Sequence, residues 1–338
     1  MGIKEIAEIA GVSKTTVSLA LNGHKGISLA TRRKIIEIAH QQNYRVPSDR
    51  IVPVPNKGTI IFARLYRHGL LLNSDQNPFI IDYIDGINSV VQQSDYSFEI
   101  LDYHMENPQL FIETMKKRQP AGIIVLGTEL DPSQIEQLNI LSSPYIVMDT
   151  YFDEIPCDYV NMSNISVVYK IVEYLKDLNH RTIFMVTSSI PSGNILMRER
   201  GFIHAAERAA LPFDEESLIR VKPGFQGAYE GMKAFLHSGR ALPEGLFCYN
   251  DVAAFGVIKA LKEQGIKVPE DISIVGFDNL PMSIMMEPHL STVKIPNSQI
   301  GRTAAEKLIE KIGQKKENNP TVTLISGQLI KRDSVTRR

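Results

Sequence analysis

Cysteine is nearly absent from this 338-residue chain: Cys157 and Cys248 are the only two. They form no spaced framework, which excludes a disulfide-stapled scaffold, argues against a zinc site and fits a reducing compartment. Long apolar runs are missing as well. No stretch is long and apolar enough to span a bilayer, and the opening Met1-Gly2-Ile3-Lys4-Glu5 lacks the apolar core and cleavage site of a secretory signal. The expectation is a soluble cytoplasmic chain with no membrane partner. Cofactor chemistry has no foothold either, because no Gly-x-Gly-x-x-Gly or Walker pattern occurs, nor a Gly-x-Ser-x-Gly elbow. None of the eight histidines forms a metal-spaced pair, and His180 reads as a residue that ends a helix and helps its carbonyls. No metal, cofactor or catalytic residue is expected. An enzyme is the least favoured class.

What is present is ordinary in amount and uneven in placement. With 43% hydrophobic and 22% charged residues, the composition is that of a globular protein. The length exceeds what one compact core serves, so two or three folding units are expected. The first fifty residues hold eight basic residues against four acidic ones, an excess of +4, while the remainder carries −5. A positive head on an acidic body suits a polyanionic partner for the head alone.

That head reads as three helices. Ile3 to Ala10 has apolar residues at helical spacing. Gly11-Val12-Ser13 breaks the pattern: Gly11 supplies a left-handed turn, Val12 turns inward, and Ser13 caps the next helix. Lys14 to Leu21 sends Val17, Ala20 and Leu21 inward and shows Lys14, Thr15, Thr16, Ser18 and Leu19 on its other face. Asn22-Gly23 stops it. A third helix, capped by Ser28, runs from Leu29 to about Gln42. Helix, three-residue turn, short polar helix, helix is the layout in which the second helix enters the major groove.

The segment Ala7-Glu8-Ile9-Ala10-Gly11-Val12-Ser13-Lys14-Thr15-Thr16-Val17-Ser18-Leu19-Ala20-Leu21-Asn22-Gly23 closely resembles the signature of the lactose-repressor (LacI/GalR) family, as do Thr31-Arg32 and Asn43-Tyr44. The resemblance implies that Lys14, Thr15 and Leu19 read bases, while Ser13, Thr16, Ser18 and Asn22 meet phosphates or adjacent backbone. Thr31 and Tyr44 complete the DNA-facing set. Small hydroxyl and amide groups suit phosphate contact, and exposed tips suit base edges. Position 19 departs from the family, which commonly has Arg there. Leu19 cannot make the two-pronged contact to guanine and suits a thymine methyl instead.

The linker departs too. Where relatives carry a short helix that folds on DNA, residues 47–58 hold Pro53 and Pro55. Proline in a helix interior costs ~3 kcal/mol, so an extended connector is expected.

From residue 59 onward, strand and helix patterns alternate, implying parallel sheets with helices on both faces. Ligands bind such sheets beyond the carboxyl ends of the strands, and there the sequence places Asp149, Asn250-Asp251 and Asp278-Asn279. Taken singly, such residues often only cap the next helix. Val268-Pro269-Glu270-Asp271-Ile272-Ser273-Ile274-Val275-Gly276-Phe277-Asp278-Asn279, Asn179-His180-Arg181-Thr182-Ile183, Arg198-Glu199-Arg200-Gly201-Phe202 and Pro288-His289-Leu290-Ser291-Thr292-Val293 resemble the same family's large domain. The implied fold class is an all-α helix-turn-helix head (1–46) joined to a two-lobed α/β domain like the periplasmic sugar-binding proteins (59–338). Lobe 1 is expected over about 59–161 and 291–320, lobe 2 over about 162–290 and 321–338.

The resemblance further implies effector contacts from Arg198, Asn250 and Asp278, an aromatic wall at Phe225, and contributions from Phe79, Asp149 and Asn194. Hydroxyls of a polyol need multidentate donors and acceptors, and its C–H face an aromatic ring. Arg198 and Asp278 also admit a reading as a mere salt bridge. The basic tail Lys331 to Arg338 reads as a solvated end, and the loop from Tyr66 to Asn77 as a candidate specificity element. The expected protein is a homodimeric transcription repressor of carbohydrate-utilisation genes. It would bind double-stranded operator DNA and answer to a sugar in the interlobe cleft. Control by a protein partner or by a purine or sugar-phosphate corepressor are alternatives, and a solute-binding protein is a distant one.

Overall fold

The computed structural model describes residues 2–21, 27, 29–41, 44, 57–69, 77–105, 108–314 and 319–338. Asn22, Ser28, most of the connector 47–58 and the loop segment 70–76 therefore lie outside the described residues.

The head comprises α1 (Ile3–Ala10), α2 (Lys14–Leu21) and α3 (Leu29–Gln41). Gly11 ends α1 at φ 70°, the left-handed conformation that a residue without Cβ adopts freely. The Thr16 amide donates to Ser13 Oγ at 3.1 Å, capping α2. Ile6, Ala7, Ala10, Val17, Ala20, Leu21, Ile35, Ile38 and Ala39 form a small shared core. Only helical spacing puts these residues on three facing stripes.

The body alternates strands and helices. In the first half come β1 (Thr59–Tyr66), α4 (Asn77–Val91), β2 (Ser97–His104), α5 (Pro108–Arg118), β3 (Gly122–Leu126), α6 (Pro132–Gln137), β4 (Tyr145–Met148) and β5 (Tyr159–Met162). Then follow α7 (Asn164–Asp177), β6 (Ile183–Ser188), α8 (Gly193–Arg208), β7 (Leu218–Val221), α9 (Gly224–His237), β8 (Gly245–Cys248), α10 (Asp251–Glu263) and β9 (Ser273–Val275). The return consists of β10 (Thr292–Lys294), α11 (Asn297–Gly313), β11 (Val322–Ile325) and β12 (Gln328–Ile330).

Two parallel sheets result. One has the order β11-β5-β4-β3-β1-β2, the other β7-β6-β8-β9. Along β1, Ile60 and Phe62 pack on the side of Tyr83, Ile87 and Ala304, whereas Ile61, Ala63 and Leu65 pack on the side of Phe111 and Met115. Both faces are covered, so β1 and β3 read as nearly unbroken apolar runs. Full burial of each such side chain contributes about 1.5–3 kcal/mol.

Strand pairing moves the expected lobe edges. Val322–Ile325 pairs with Tyr159–Met162 in the first sheet, so the last crossing comes after 325 rather than near 320. Residues 291 and 294 bridge to 275 and 278, so the middle crossing follows 294 rather than 290. The basic tail is corrected as well. Arg332 donates to the Leu290 carbonyl at 2.7 Å, Ser283 Oγ at 3.1 Å and Asn279 Oδ1 at 2.6 Å. Arg338 donates to the Pro269 carbonyl at 2.9 Å. These guanidinium groups satisfy backbone carbonyls in the second lobe and are not a solvated end. His180 behaves as expected, with Nδ1 donating to the Leu175 carbonyl and Nε2 accepting from Ser273 Oγ, both at 2.8 Å.

Candidate functional site

In a parallel sheet all the carboxyl ends lie along one edge. The residues following β3 and β4 in the first lobe meet those following β6, β8 and β9 in the second. Asp149 closes β4 in a left-handed conformation, φ 59°, and is buried. Its carboxylate accepts from the Tyr83 hydroxyl at 2.9 Å, from Thr128 Oγ1 at 2.5 Å and from Asn194 Nδ2 at 3.0 Å. Tyr83 and Thr128 belong to the first lobe and Asn194 to the second, so this carboxylate joins the lobes. Burial raises its pKa, and the three donors together with Arg198 oppose that rise.

Asn194 sits in the first turn of α8, whose amino end is capped by Ser192 Oγ accepting from the Ile195 amide. Its Oδ1 accepts from Asn161 at 2.7 Å and Asn164 at 2.9 Å. A side chain at Gly193 would put Cβ 2.3 Å from Thr150 Oγ1 of the first lobe. Close approach of the lobes here therefore requires glycine.

Arg198 follows one turn later and is buried. Nε donates to Asn164 Oδ1 at 2.9 Å and one terminal nitrogen donates to the Tyr249 carbonyl at 2.6 Å. The guanidinium lies 3.7 Å from the centre of the Phe277 ring. Burial lowers its pKa, against which Asp278 and then Asp149 act to raise it.

Asp278 completes the set electrostatically but is not in contact. No ion pair within 4.0 Å links it to Arg198 among the described residues, so the simple salt-bridge reading fails. Burial drives its carboxyl pKa well upward, and Arg198 works against that. Its backbone has φ 105° and that of Asn279 φ 52°, the first a strained value for a residue with a side chain. Gly276, two residues earlier, leaves no room for a Cβ, which would lie 2.2 Å from Asp251 Oδ1.

Asn250 performs the bland role considered above: its Oδ1 accepts from the Ala253 amide at 2.9 Å to cap α10. Its Nδ2 hydrogens have no protein acceptor among the described residues. Phe79 packs edge-on against Tyr83 at 5.0 Å, which ties it to Asp149. Phe225 is 37% exposed and its ring faces the Lys259 ammonium at 5.8 Å. The aromatic face stacked on Arg198 is that of Phe277. Tyr83, Thr128, Asn161, Asn164, Tyr249 and Phe277 went unnamed in the sequence reading. Thr128 and Tyr249 lie just past β3 and β8, so the rule that function follows strand ends could have found them.

A groove of about 610 Å³ lies at the opposite, amino-terminal edge of the first sheet, beside Tyr145, Asp158 and Lys311. Lys311 and Asp158 already pair at 2.6 Å, and none of the effector candidates reaches it.

In the head, Lys14 and Thr15 are exposed on α2, while Thr16, Ser18 and Leu19 are partly covered. Ser13 Oγ serves Thr16 as its cap, with the two hydroxyls 2.8 Å apart. Thr31 is half-buried. Tyr44 packs on the head core, and its amide donates to the Ala39 carbonyl at 2.9 Å.

Residues 2–47 match the model for bacterial regulatory proteins of the lacI family, and residues 172–335 that for a periplasmic binding protein-like domain. The chain joins a LacI-family helix-turn-helix domain to a periplasmic binding protein-like domain. LacI-family relatives align over nearly its whole length. The ribose operon repressor of Haemophilus influenzae is 28% identical over 95% of each chain. The transcriptional repressor PurR of Pasteurella multocida is 29% identical over 99% of each. Among solved structures, the Lac repressor dimer bound to operator and an anti-inducer superposes with a TM-score of 0.74 at 21% identity, covering 99% of both chains. A LacI-family regulator from Enterococcus faecium with bound ribose gives 0.68 at 25% identity, covering 82% of this chain and 99% of its own. The protein is a DNA-binding regulator controlled by a small-molecule effector. No helix among the described residues is long and apolar enough to cross a membrane.

Proposed function

We propose that this regulator is a cytoplasmic homodimeric repressor whose effector, a polyol, binds between the lobes on Arg198, Asn250, Asp278 and Asp149. The observation that carries the reading is the cross-lobe cluster. Asp149 of one lobe is hydrogen bonded to Asn194 of the other, and Arg198, Asn250 and Asp278 open onto the same edge. A ligand there touches both lobes at once, so its affinity depends on how the lobes are set. It shifts that equilibrium by its differential affinity for the two arrangements and by no more. Arg198 offers planar donors, Asp278 an acceptor with no hydrogen bond to its carboxylate among the described residues, and Asn250 a free amide.

The head reads a near-palindromic operator through Lys14, Thr15 and Leu19, with half-sites spaced by whole helical turns. Ser13, Thr16, Ser18, Asn22, Thr31 and Tyr44 set its position on the backbone. Names of relatives support the carbohydrate reading: the ribose operon repressor by sequence, and a cellobiose complex of the regulator CelR by fold. None of the proposed roles is catalytic.

The test is selection of bound duplexes from a random pool by the full-length protein, followed by titration of the selected site. Lys14→Ala or Thr15→Ala should lose about 1–3 kcal/mol of specific binding. Equal binding of every duplex by wild type and variants would refute operator reading.

A further inference from the structure

Beyond Thr128, which holds Asp149, the next residue is Glu129. Its side chain is fully buried, and one carboxylate oxygen accepts from three successive main-chain amides: Arg67 at 2.8 Å, His68 at 2.9 Å and Gly69 at 2.9 Å. The other oxygen lies 3.2 Å from His68 Nδ1. These amides form the turn directly after β1, with Gly69 in the left-handed conformation at φ 64°. Consecutive amides converging on one point form an anion-binding nest. Hydrogen bonds to a charged acceptor are roughly twice as strong as neutral ones. Here the anion is the protein's own.

The nest lies at the carboxyl end of β1, and Thr128-Glu129 follow β3, so it shares the edge from which Asp149 meets Asn194. Arg67 in this turn is paired with Asp131 at 3.2 Å, and two further carboxylates, Asp149 and Asp278, lie along the edge. Asp149 and Asp278 face a single buried guanidinium, Arg198, whose hydrogens are partly spent on Asn164 and the Tyr249 carbonyl. Desolvation already raises the pKa of both aspartates. A further anion placed among them would deepen that cost.

We infer that Glu129 is a specificity-determining residue: it fills the cleft's anion nest, so the effector carries no phosphate or carboxylate. The inference rests on the proposed effector cleft and narrows its ligand to uncharged polyols or other neutral molecules. Sugar phosphates and nucleotides are excluded by the protein's own carboxylate, which stands where their charge would be met.

The experiment measures thermal unfolding of the full-length protein with matched pairs: ribose and ribose 5-phosphate, glucose and glucose 6-phosphate, guanosine and guanosine monophosphate. At least one neutral member raises the midpoint of the wild type, and its phosphorylated partner binds at least tenfold more weakly. Inorganic phosphate leaves the wild type unmoved but raises the midpoint of Glu129→Ala, whose three amides are released. Glu129→Gln keeps the volume and an acceptor oxygen without the charge, so it folds where the alanine variant fails, and its neutral-to-phosphorylated ratio falls. A phosphorylated member that binds the wild type as well as its neutral partner overturns the inference and leaves the cleft intact as a metabolite site. A folded Glu129→Ala indifferent to phosphate overturns it as well. If no member of any pair moves the wild type, the proposed effector reading fails, and the phosphate response of Glu129→Ala still decides the nest.

Discussion

Asn194 donates from one nitrogen to both the main-chain carbonyl and the carboxylate of Asp149, at 2.9 and 3.0 Å. Through Oδ1 it also holds Asn161 and Asn164. One buried amide thus ties the end of β4 to the start of α8 and both to the segment from β5 to α7, where the chain passes between lobes. Asn194→Ala strands several buried polar groups and should destabilise the protein by about 2–3 kcal/mol. Chemical denaturation measures this; a loss within ordinary surface-mutation scatter would deny the network its role.

Arg332 fixes the loop that presents Asp278, through Asn279, Ser283 and the Leu290 carbonyl. Arg332→Met keeps much of the side-chain volume and removes the fork. Effector affinity should fall about tenfold, roughly 1.4 kcal/mol, while operator binding without effector stays near wild type. Calorimetric titration and DNA titration read the two effects separately.

Asp251 lies beneath the same loop, accepting from Thr292 Oγ1 at 2.6 Å and the Leu280 amide at 2.8 Å. Burial raises its pKa to about 7 in spite of those donors. An acid whose folded pKa lies above its unfolded value binds more protons when folded. Its contribution to stability is therefore complete below the ordinary Asp range and is lost as pH rises through about 7. Denaturation midpoints for the wild type should carry this decline between about pH 4 and 7. In Asp251→Asn that component should vanish; an unchanged pH profile would remove Asp251 from the account.

Leu19 sits where the recognition helix leaves a half-covered apolar tip. Leu19→Arg should move base preference at one position of each half-site toward guanine, because a guanidinium makes the two-pronged contact that leucine lacks. Comparison of sites selected by the two proteins checks this, and identical preferences would place Leu19 away from the bases.

Much of this was legible in the sequence because it is written locally. The head's apolar spacing, Gly11 and Ser13 specify its turn and cap, and the β-branched runs at 59–63 and 121–126 mark buried parallel strands. Other parts depend on distant partners. Pro191-Ser192-Gly193-Asn194 looks like loop by composition, yet Ser192 caps there and α8 begins at 193. Tyr159–Met162 escaped notice because four residues containing an Asn carry little strand signal. That Asn161 faces Asn194 is visible only once the lobes are in place. Arg332 reaches partners 42 to 53 residues away, so no local pattern could distinguish it from a solvated tail. Phe277 was more accessible, since it adjoins Asp278 within the family signature, whereas Phe225 was named because the resemblance put an aromatic wall there.

The most direct test of the central claim is thermal unfolding of wild type and Arg198→Ala with ribose, cellobiose, glucose and guanine. A bound ligand at ~100 times its dissociation constant adds about 2.7 kcal/mol. The account predicts that at least one of these raises the wild-type midpoint and that the rise disappears in Arg198→Ala. A rise that survives the substitution, or none with any ligand, would contradict an effector site between the lobes.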